Sequence, residues 1–218
     1  MVMAIFQENT DEKLYLTPTP AGAYYAVSRP ALDPCRKLLS TLLQYRQTPL
    51  LTLDGLKNLT QLDDDKNVME LLRHMQTQGW LQGVAASQRA PKDVLEKALP
   101  EILKVLSAEG KSLLADQQGF HLASCGFEPQ TVDKLSVLTA DLALLLERHI
   151  DLLNHHLDLQ SSAWGIIDAA GNSQLGFWPL YIGQHRFVLV IGGMPCLNQP
   201  ALTHLIWALS IRYTTNFD

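Results

Sequence analysis

The sequence predicts an α+β chain made of two domains, residues 1–90 and 91–218, and three observations lead there. Apolar residues recur at helical spacing between Leu38 and Met75, and a short strand-like run follows. From Pro91 onward the pattern becomes helix, two strands, long helix, three strands, helix. Between the two patterns stands Ala85-Ala86-Ser87-Gln88-Arg89-Ala90, a small and polar candidate linker.

In the first domain, Lys13–Leu16 and Ala23–Val27 read as short strands of a hairpin, with Pro18, Pro20 and Gly22 punctuating the space between them. Asp33 is placed to cap a helix whose first residue is Pro34, and Leu38, Leu39, Leu42 and Leu43 form its apolar face. Thr52 caps a second helix with Leu53, Leu56 and Leu59 on one side. Asp63-Asp64-Asp65 opens a third, where carboxylates suit the positive end of the helix dipole. Its buried stripe is Val68, Leu71, Leu72 and Met75, and Gly79 stops it. Trp80, Leu81 and Val84 then form a strand. Three helices ending in a strand is the order of a winged helix. The run from Leu71 to Leu81 resembles the third helix and first wing strand of that fold.

In the second domain, Val94, Leu95, Ala98, Leu99, Ile102, Leu103 and Leu106 share one helical face. Pro100 interrupts it, which predicts a kink or two short helices in line. Ser112–Ala115 and Phe120–Cys125 read as strands joined by a turn at Gln117-Gln118-Gly119. Pro129 and Thr131 open a long helix with Leu135, Leu138, Leu142, Leu145, Leu146, Ile150 and Leu153 among its apolar positions. Strands follow at 162–168, at 174–181 (broken by Pro179) and at 186–192, with turns at Ala170-Gly171-Asn172 and Gly183-Gln184. A last helix runs from about Pro200 to Tyr213.

This order, with the stretch Leu113-Leu114-Ala115-Asp116-Gln117-Gln118-Gly119-Phe120-His121-Leu122-Ala123-Ser124 and the return at Gly192-Gly193, resembles the roadblock family of the dynein-light-chain type. The resemblance implies an α/β sandwich on a five-stranded antiparallel sheet. It also implies a dimer that acts as a scaffold or regulator of a small GTPase, in the cytoplasm and without a cofactor.

Composition narrows the remaining classes. The chain is 47% apolar and 18% charged, so it folds around packed cores or covers itself with a partner. Its apolar stretches fall short of the roughly 20 residues that span a bilayer, and Met1–Phe6 is too short for a secretory signal. Cys35, Cys125 and Cys196 are odd in number and widely spaced, which fits reduced buried thiols better than a disulfide framework, though one pair stays open. Residues 1–91 carry nine basic and nine acidic side chains, and residues 92–218 carry eight and thirteen. Neither part has the cationic surplus that phosphate-backbone binding requires. A transcription regulator would need Lys66, Asn67, Arg73, His74 and Gln78 as its reading face, next to three aspartates that repel DNA. A small-ligand sensor would need an apolar cavity under the sheet.

Catalytic and metal motifs fail on chemistry. Gly110-Lys111-Ser112 lacks the first glycine of a P-loop, since Val105 stands there, and a strand follows where a helix must open. His149, His155 and His156, with Asp151 and Asp158, have no metal-site spacing. His121 and Cys125 sit on one strand with nothing to orient a base, so no catalytic, metal or cofactor residue is assigned. The arginines available for a GTPase finger in the second domain are Arg148, Arg186 and Arg212, of which Arg186, after a turn, is best placed to reach outward. The long helix is apolar over more arc than one sheet covers, and the strand holding Trp164 and Ile166 lacks charge until Asp168. Leu138, Leu142, Leu145, Trp164 and Ile166 are therefore assigned to a homodimer interface.

Overall fold

The computed structural model describes residues 13–31, 33–91, 95–149, 151–157, 159 and 161–214, without the side chains of Asn154 and His155. The readings made above on Met1–Phe6, Val94, Ile150, Asp158 and the His155 side chain lie outside the described residues. The chain forms two compact units. Unit 1 is Met1–Lys92 with Leu202–Asp218, and unit 2 is Asp93–Ala201.

Unit 1 begins with β1 (Tyr15–Pro18) and α1 (Pro20–Val27). The hairpin reading of this stretch is wrong. Thr19 Oγ1 accepts the Gly22 N–H at 3.1 Å and Pro20 occupies the first helical position, so the chain turns into a helix where a second strand was expected. Gly22 is a contact glycine, because a Cβ there would lie 1.9 Å from the Trp80 carbonyl oxygen. Next come α2 (Pro34–Leu42), α3 (Leu53–Thr60), α4 (Asp65–Thr77) and β2 (Leu81–Val84). Asp33, Thr52 and Asp64 cap these three helices through their side chains. Past α4, Gly79 takes a positive φ of 69° and the Trp80 N–H returns to the Met75 carbonyl at 2.9 Å. Strand β1 then pairs antiparallel with β2, Tyr15 opposite Val84. Leu38, Leu39, Leu56, Val68, Leu72 and Met75 are fully buried.

A polar knot holds α1 to α2. The Tyr25 ring stacks on Trp80 with centroids 3.8 Å apart, and the Arg36 guanidinium lies 4.2 Å over the Tyr25 ring. The Tyr25 hydroxyl donates to Asp33 at 2.7 Å. Burial, with the Asp33 carboxylate beside it, pushes the Tyr25 pKa up to about 12. Burial of Asp33 acts to raise its pKa, but the Arg36 N–H, the Tyr25 hydroxyl and the Arg36 charge outweigh it and hold the carboxyl below its ordinary value.

Unit 2 contains α5 (Leu95–Val105), β3 (Ser112–Asp116), β4 (His121–Cys125), α6 (Pro129–Arg148), β5 (Trp164–Ile167), β6 (Ser173–Ile182) and β7 (His185–Gly192). The five strands form one antiparallel sheet in the order β4-β3-β7-β6-β5. Helix α5 runs through Pro100 as a single helix, not as two pieces. Strand β6 is likewise unbroken at Pro179. It pairs with β7 there, Pro179 opposite Val188, while β5 reaches only as far as Phe177. The missing N–H of Pro179 therefore removes no ladder bond.

Helix α6 packs Val132 and Leu135 on Leu113, Val188, Val190 and Phe177, on one face of the sheet. Helix α5 packs on β3 and β4, and the buried Ser112 hydroxyl donates to the Leu103 carbonyl. The long helix ends at Arg148, earlier than its leucines suggest, and a separate π-helical turn occupies Leu152–His156. The last helix, α7 (Pro200–Tyr213), groups with unit 1 from Leu202 onward. Its Trp207 indole N–H donates to the Tyr45 carbonyl at 2.8 Å.

Candidate functional site

The geometry of unit 2 converges on the β5 edge of the sheet. Ile166 pairs with Leu175 and Trp164 with Phe177. Directly opposed residues in an antiparallel pair point to the same face, so Trp164 and Ile166 lie on the face that α6 covers. Leu175 and Phe177 are part of the core beneath that helix. Trp164 is 39% exposed, Ile166 57% and Ile167 66%, on a strand with no charged residue. The other face is thin. Gly165 pairs with Gly176, and the Trp178 ring occupies the space a Gly176 side chain would need.

Helix α6 supplies the second part. At 3.6 residues per turn, Leu138, Leu142 and Leu145 lie on the flank opposite Ala140 and Glu147. Ala140 lies against the β3–β4 turn, next to the position a Cβ on Gly119 would take, and Glu147 pairs with Arg186 at the start of β7. The leucine flank therefore faces the β6–β5 side. Leu142 is half-buried and packs on the chain's own core, whereas Leu138 and Leu145 are 39% and 38% exposed. The opposite shoulder of α6 also carries exposed apolar residues, Val137 and Leu144. So the five residues read as an interface fall on one side of the sheet, and one of them, Leu142, also serves the core.

The other sequence-derived residues fall elsewhere. Arg186 does not reach outward. Its side chain is 11% exposed and its guanidinium pairs with Glu147. Arg148 is the exposed arginine on unit 2, and Arg212 stands on α7 in unit 1. His121 is exposed and opposite Ala115, while the free, half-buried Cys125 is opposite Ser112. The Cys196 thiol is free and exposed, not buried as expected, and Cys35 is free and buried, with its thiol pKa raised by burial and by Asp33. Among the described residues no cluster of three or more His, Cys, Asp or Glu side chains could hold a metal ion. Lys66, Asn67, Arg73, His74 and Gln78 of α4 and its C-cap are exposed, but so are Asp63, Asp64, Asp65 and Glu70. No helix among the described residues is long and apolar enough to cross a membrane.

A feature that the sequence reading missed is Asp168. Its carboxylate accepts the N–H groups of Ala170 and Asn172 at 2.9 Å each and the side-chain amides of Asn172 and Gln174, which ties the β5–β6 turn. These bonds, led by the Asn172 backbone N–H, hold its pKa below the ordinary value. Aspartate two residues before an Ala-Gly-Asn turn was the available signal.

The fold and site define a class: an α+β protein whose five-stranded antiparallel sheet leaves one apolar edge strand uncovered within the chain. No family model matches the sequence, and no curated protein matches it. Solved structures similar to part of the chain include "MglB with tetrameric arrangement", at 16% identity and a TM-score of 0.38, spanning 56% of this chain and 92% of that one. The gliding protein MglB of Thermus thermophilus is 18% identical with a TM-score of 0.35, over 56% and 93% of the two chains. The Myxococcus xanthus MglB is 15% identical with a TM-score of 0.33, over 58% and 91%.

Proposed function

We propose that the chain is a non-enzymatic protein-interaction module that pairs with a second copy through unit 2 and, once paired, scaffolds or regulates a small GTPase. The observation that carries the pairing is the apolar β5 edge beside the Leu138–Leu142–Leu145 flank. An open strand offers unpaired backbone groups, and Trp164, Ile166 and Ile167 add apolar surface that water penalises. Edge strands meant to stay single usually carry charge, and β5 has none. The fold of one chain does not demand Gly165, since among the described residues a Cβ there meets only the Leu175 carbonyl oxygen, at an ordinary 3.5 Å.

The charge pattern of α6 favours a second copy as the occupant. Asp141 and Arg148 are exposed, two turns apart, with Leu144 and Leu145 between them. Neither has an ion-pair partner among the described residues. An antiparallel copy centred on Leu144 and Leu145 sets each Asp141 against the other copy's Arg148.

Unit 1 reads as a winged-helix-like docking module, with α2, α3 and α4 followed by β2. The exposed aspartates at the start of α4 oppose a DNA phosphate backbone. The GTPase partner rests on the roadblock resemblance of Leu113–Ser124 and on the order of elements. Because Arg186 is held by Glu147, binding of a GTPase survives Arg186→Ala.

Light scattering of the full chain at tens of micromolar tests the pairing, and a monomer there removes it. Candidate small GTPases from the same cell, loaded with GTP or GDP analogues, test the partner. If none binds in either state while another protein co-purifies stoichiometrically, only the scaffold role stands.

A further inference from the structure

Unit 1 contains a cleft of about 620 Å³ lined by Arg46, Gln47, Arg89, Ala90, Pro91 and Ile211. Its size lies within the roughly 300–1,000 Å³ typical of small-molecule sites. Two arginines on one cleft repel each other unless a counter-charge is supplied. Among the described residues no carboxylate lines this cleft and neither guanidinium has an ion-pair partner.

The backbone beneath both arginines is fixed. Gln47 and Arg89 face each other across an antiparallel bridge, and the Ala90 N–H donates to the Arg46 carbonyl at 3.0 Å. The Thr48 N–H donates to the Gln88 carbonyl at 2.9 Å, and the Thr48 hydroxyl accepts the Gln88 N–H at 2.9 Å. On the helical side, Trp207 anchors the Tyr45 carbonyl just before Arg46, and Ile211, one turn further along α7, forms the wall. Arg46 and Arg89, both exposed, thus line the cleft from neighbouring rungs of a pinned ladder, beside an apolar lining of Ala90, Pro91 and Ile211.

We propose that this cleft binds a small organic anion, with a phosphate or carboxylate gripped by Arg46 and Arg89 and an apolar body against Pro91 and Ile211. A guanidinium presents paired N–H donors that match either oxyanion, which a lysine ammonium does not. The site belongs to unit 1 and does not depend on pairing through unit 2.

The test is calorimetric titration of the full chain with phenyl phosphate, benzoate, inorganic phosphate and phenol. Phenyl phosphate or benzoate binds and phenol does not, and the stronger of the two identifies the oxyanion. Inorganic phosphate, lacking the apolar body, binds at least about tenfold more weakly than phenyl phosphate if phosphate is preferred. Arg46→Ala and Arg89→Ala each weaken the preferred anion by at least about tenfold, whereas Arg73→Ala, an exposed arginine of α4 outside the cleft, leaves it unchanged. Circular dichroism establishes that each variant is folded. Should an alanine variant unfold, magnetisation transfer from the bound ring to the Ile211 methyls of the unmodified chain decides instead. The proposal is overturned by undiminished binding in the folded double variant, by absence of that transfer, by no anion binding below about 10 mM, or by binding of an acidic peptide alone.

Discussion

The sheet of unit 2 has two edges, and they are finished differently. At one edge, β4 carries His121, Ser124 and Cys125, its Ala123 is buried, and α5 packs against it. At the other edge, β5 carries Trp-Gly-Ile-Ile, and all four residues are exposed. The more apolar edge is therefore the less protected one. Burying a large apolar side chain contributes roughly 1.5–3 kcal/mol. Trp164, Ile166 and Ile167 on this open strand gain only part of that within one chain, and this is the surface on which the proposed pairing rests. On α6 the core ends within one turn: Leu142 packs inward, and on either side of it Leu138 and Leu145 stand exposed.

Placing charge on each edge in turn gives the largest expected difference between them. Ile166→Lys combined with Leu145→Lys raises the dimer dissociation constant at least about a hundredfold, since two apolar burials are lost and two charges must be desolvated. Phe120→Lys, at the 70% exposed tip beside β4, changes it by less than about 0.5 kcal/mol. Analytical ultracentrifugation across a concentration series measures both. An equal effect at Phe120 would assign the interface to the wrong edge.

A second pair separates core from interface on α6. Leu142→Ala lowers folding stability by about 2 kcal/mol, near the low end for buried leucines because the residue is only half-buried. Leu138→Ala changes folding by less than about 0.5 kcal/mol and acts on association instead. Urea unfolding at low and high protein concentration resolves the two.

The third prediction concerns unit 1. Asp33→Ala removes a helix cap and costs about 1 kcal/mol, without altering dimerisation. Its pH dependence has a definite sign. The folded pKa of Asp33 lies below the unfolded value, so its contribution is present above the ordinary aspartate range and is lost as pH falls through the lowered value. The Tyr25 pKa is raised from 10.0 to about 12, so its contribution is intact below pH 10.0 and is lost as pH rises toward about 12. Asp33→Asn flattens the acid limb of the stability profile and Tyr25→Phe the alkaline limb. Thermal melts over the full range check both.

The smallest effect belongs to the charge pair on α6. Asp141→Arg weakens dimerisation by roughly 0.2–1 kcal/mol, and adding Arg148→Asp restores it, as expected for exposed ion pairs. A double variant that is weaker than either single one would place the two helices in a different register.

Most helix starts and most turns were legible in the residues themselves, because these depend on local chemistry. Asp33-Pro34, Thr52 and the aspartates before α4 act within a few residues of themselves, and so do Gly79 and Gly183 at their turns. Even the misread first helix carried its own signal, since Thr19-Pro20 repeats the pattern of Asp33-Pro34. Tertiary structure decided what rests on distant partners. The Trp80 backbone explains why residue 22 is glycine, and β2, far along the chain, supplies the partner of β1. Pro179 sits within a strand only because β5 ends short of it. The placement of α7 with unit 1 was decided by burial of Leu205, Ile206 and Leu209 and by the Trp207–Tyr45 bond. The exposure of β5 was settled in the same way. Trp164, Ile166 and Ile167 have the composition of a buried strand, and only the order of strands in the sheet puts them at an edge.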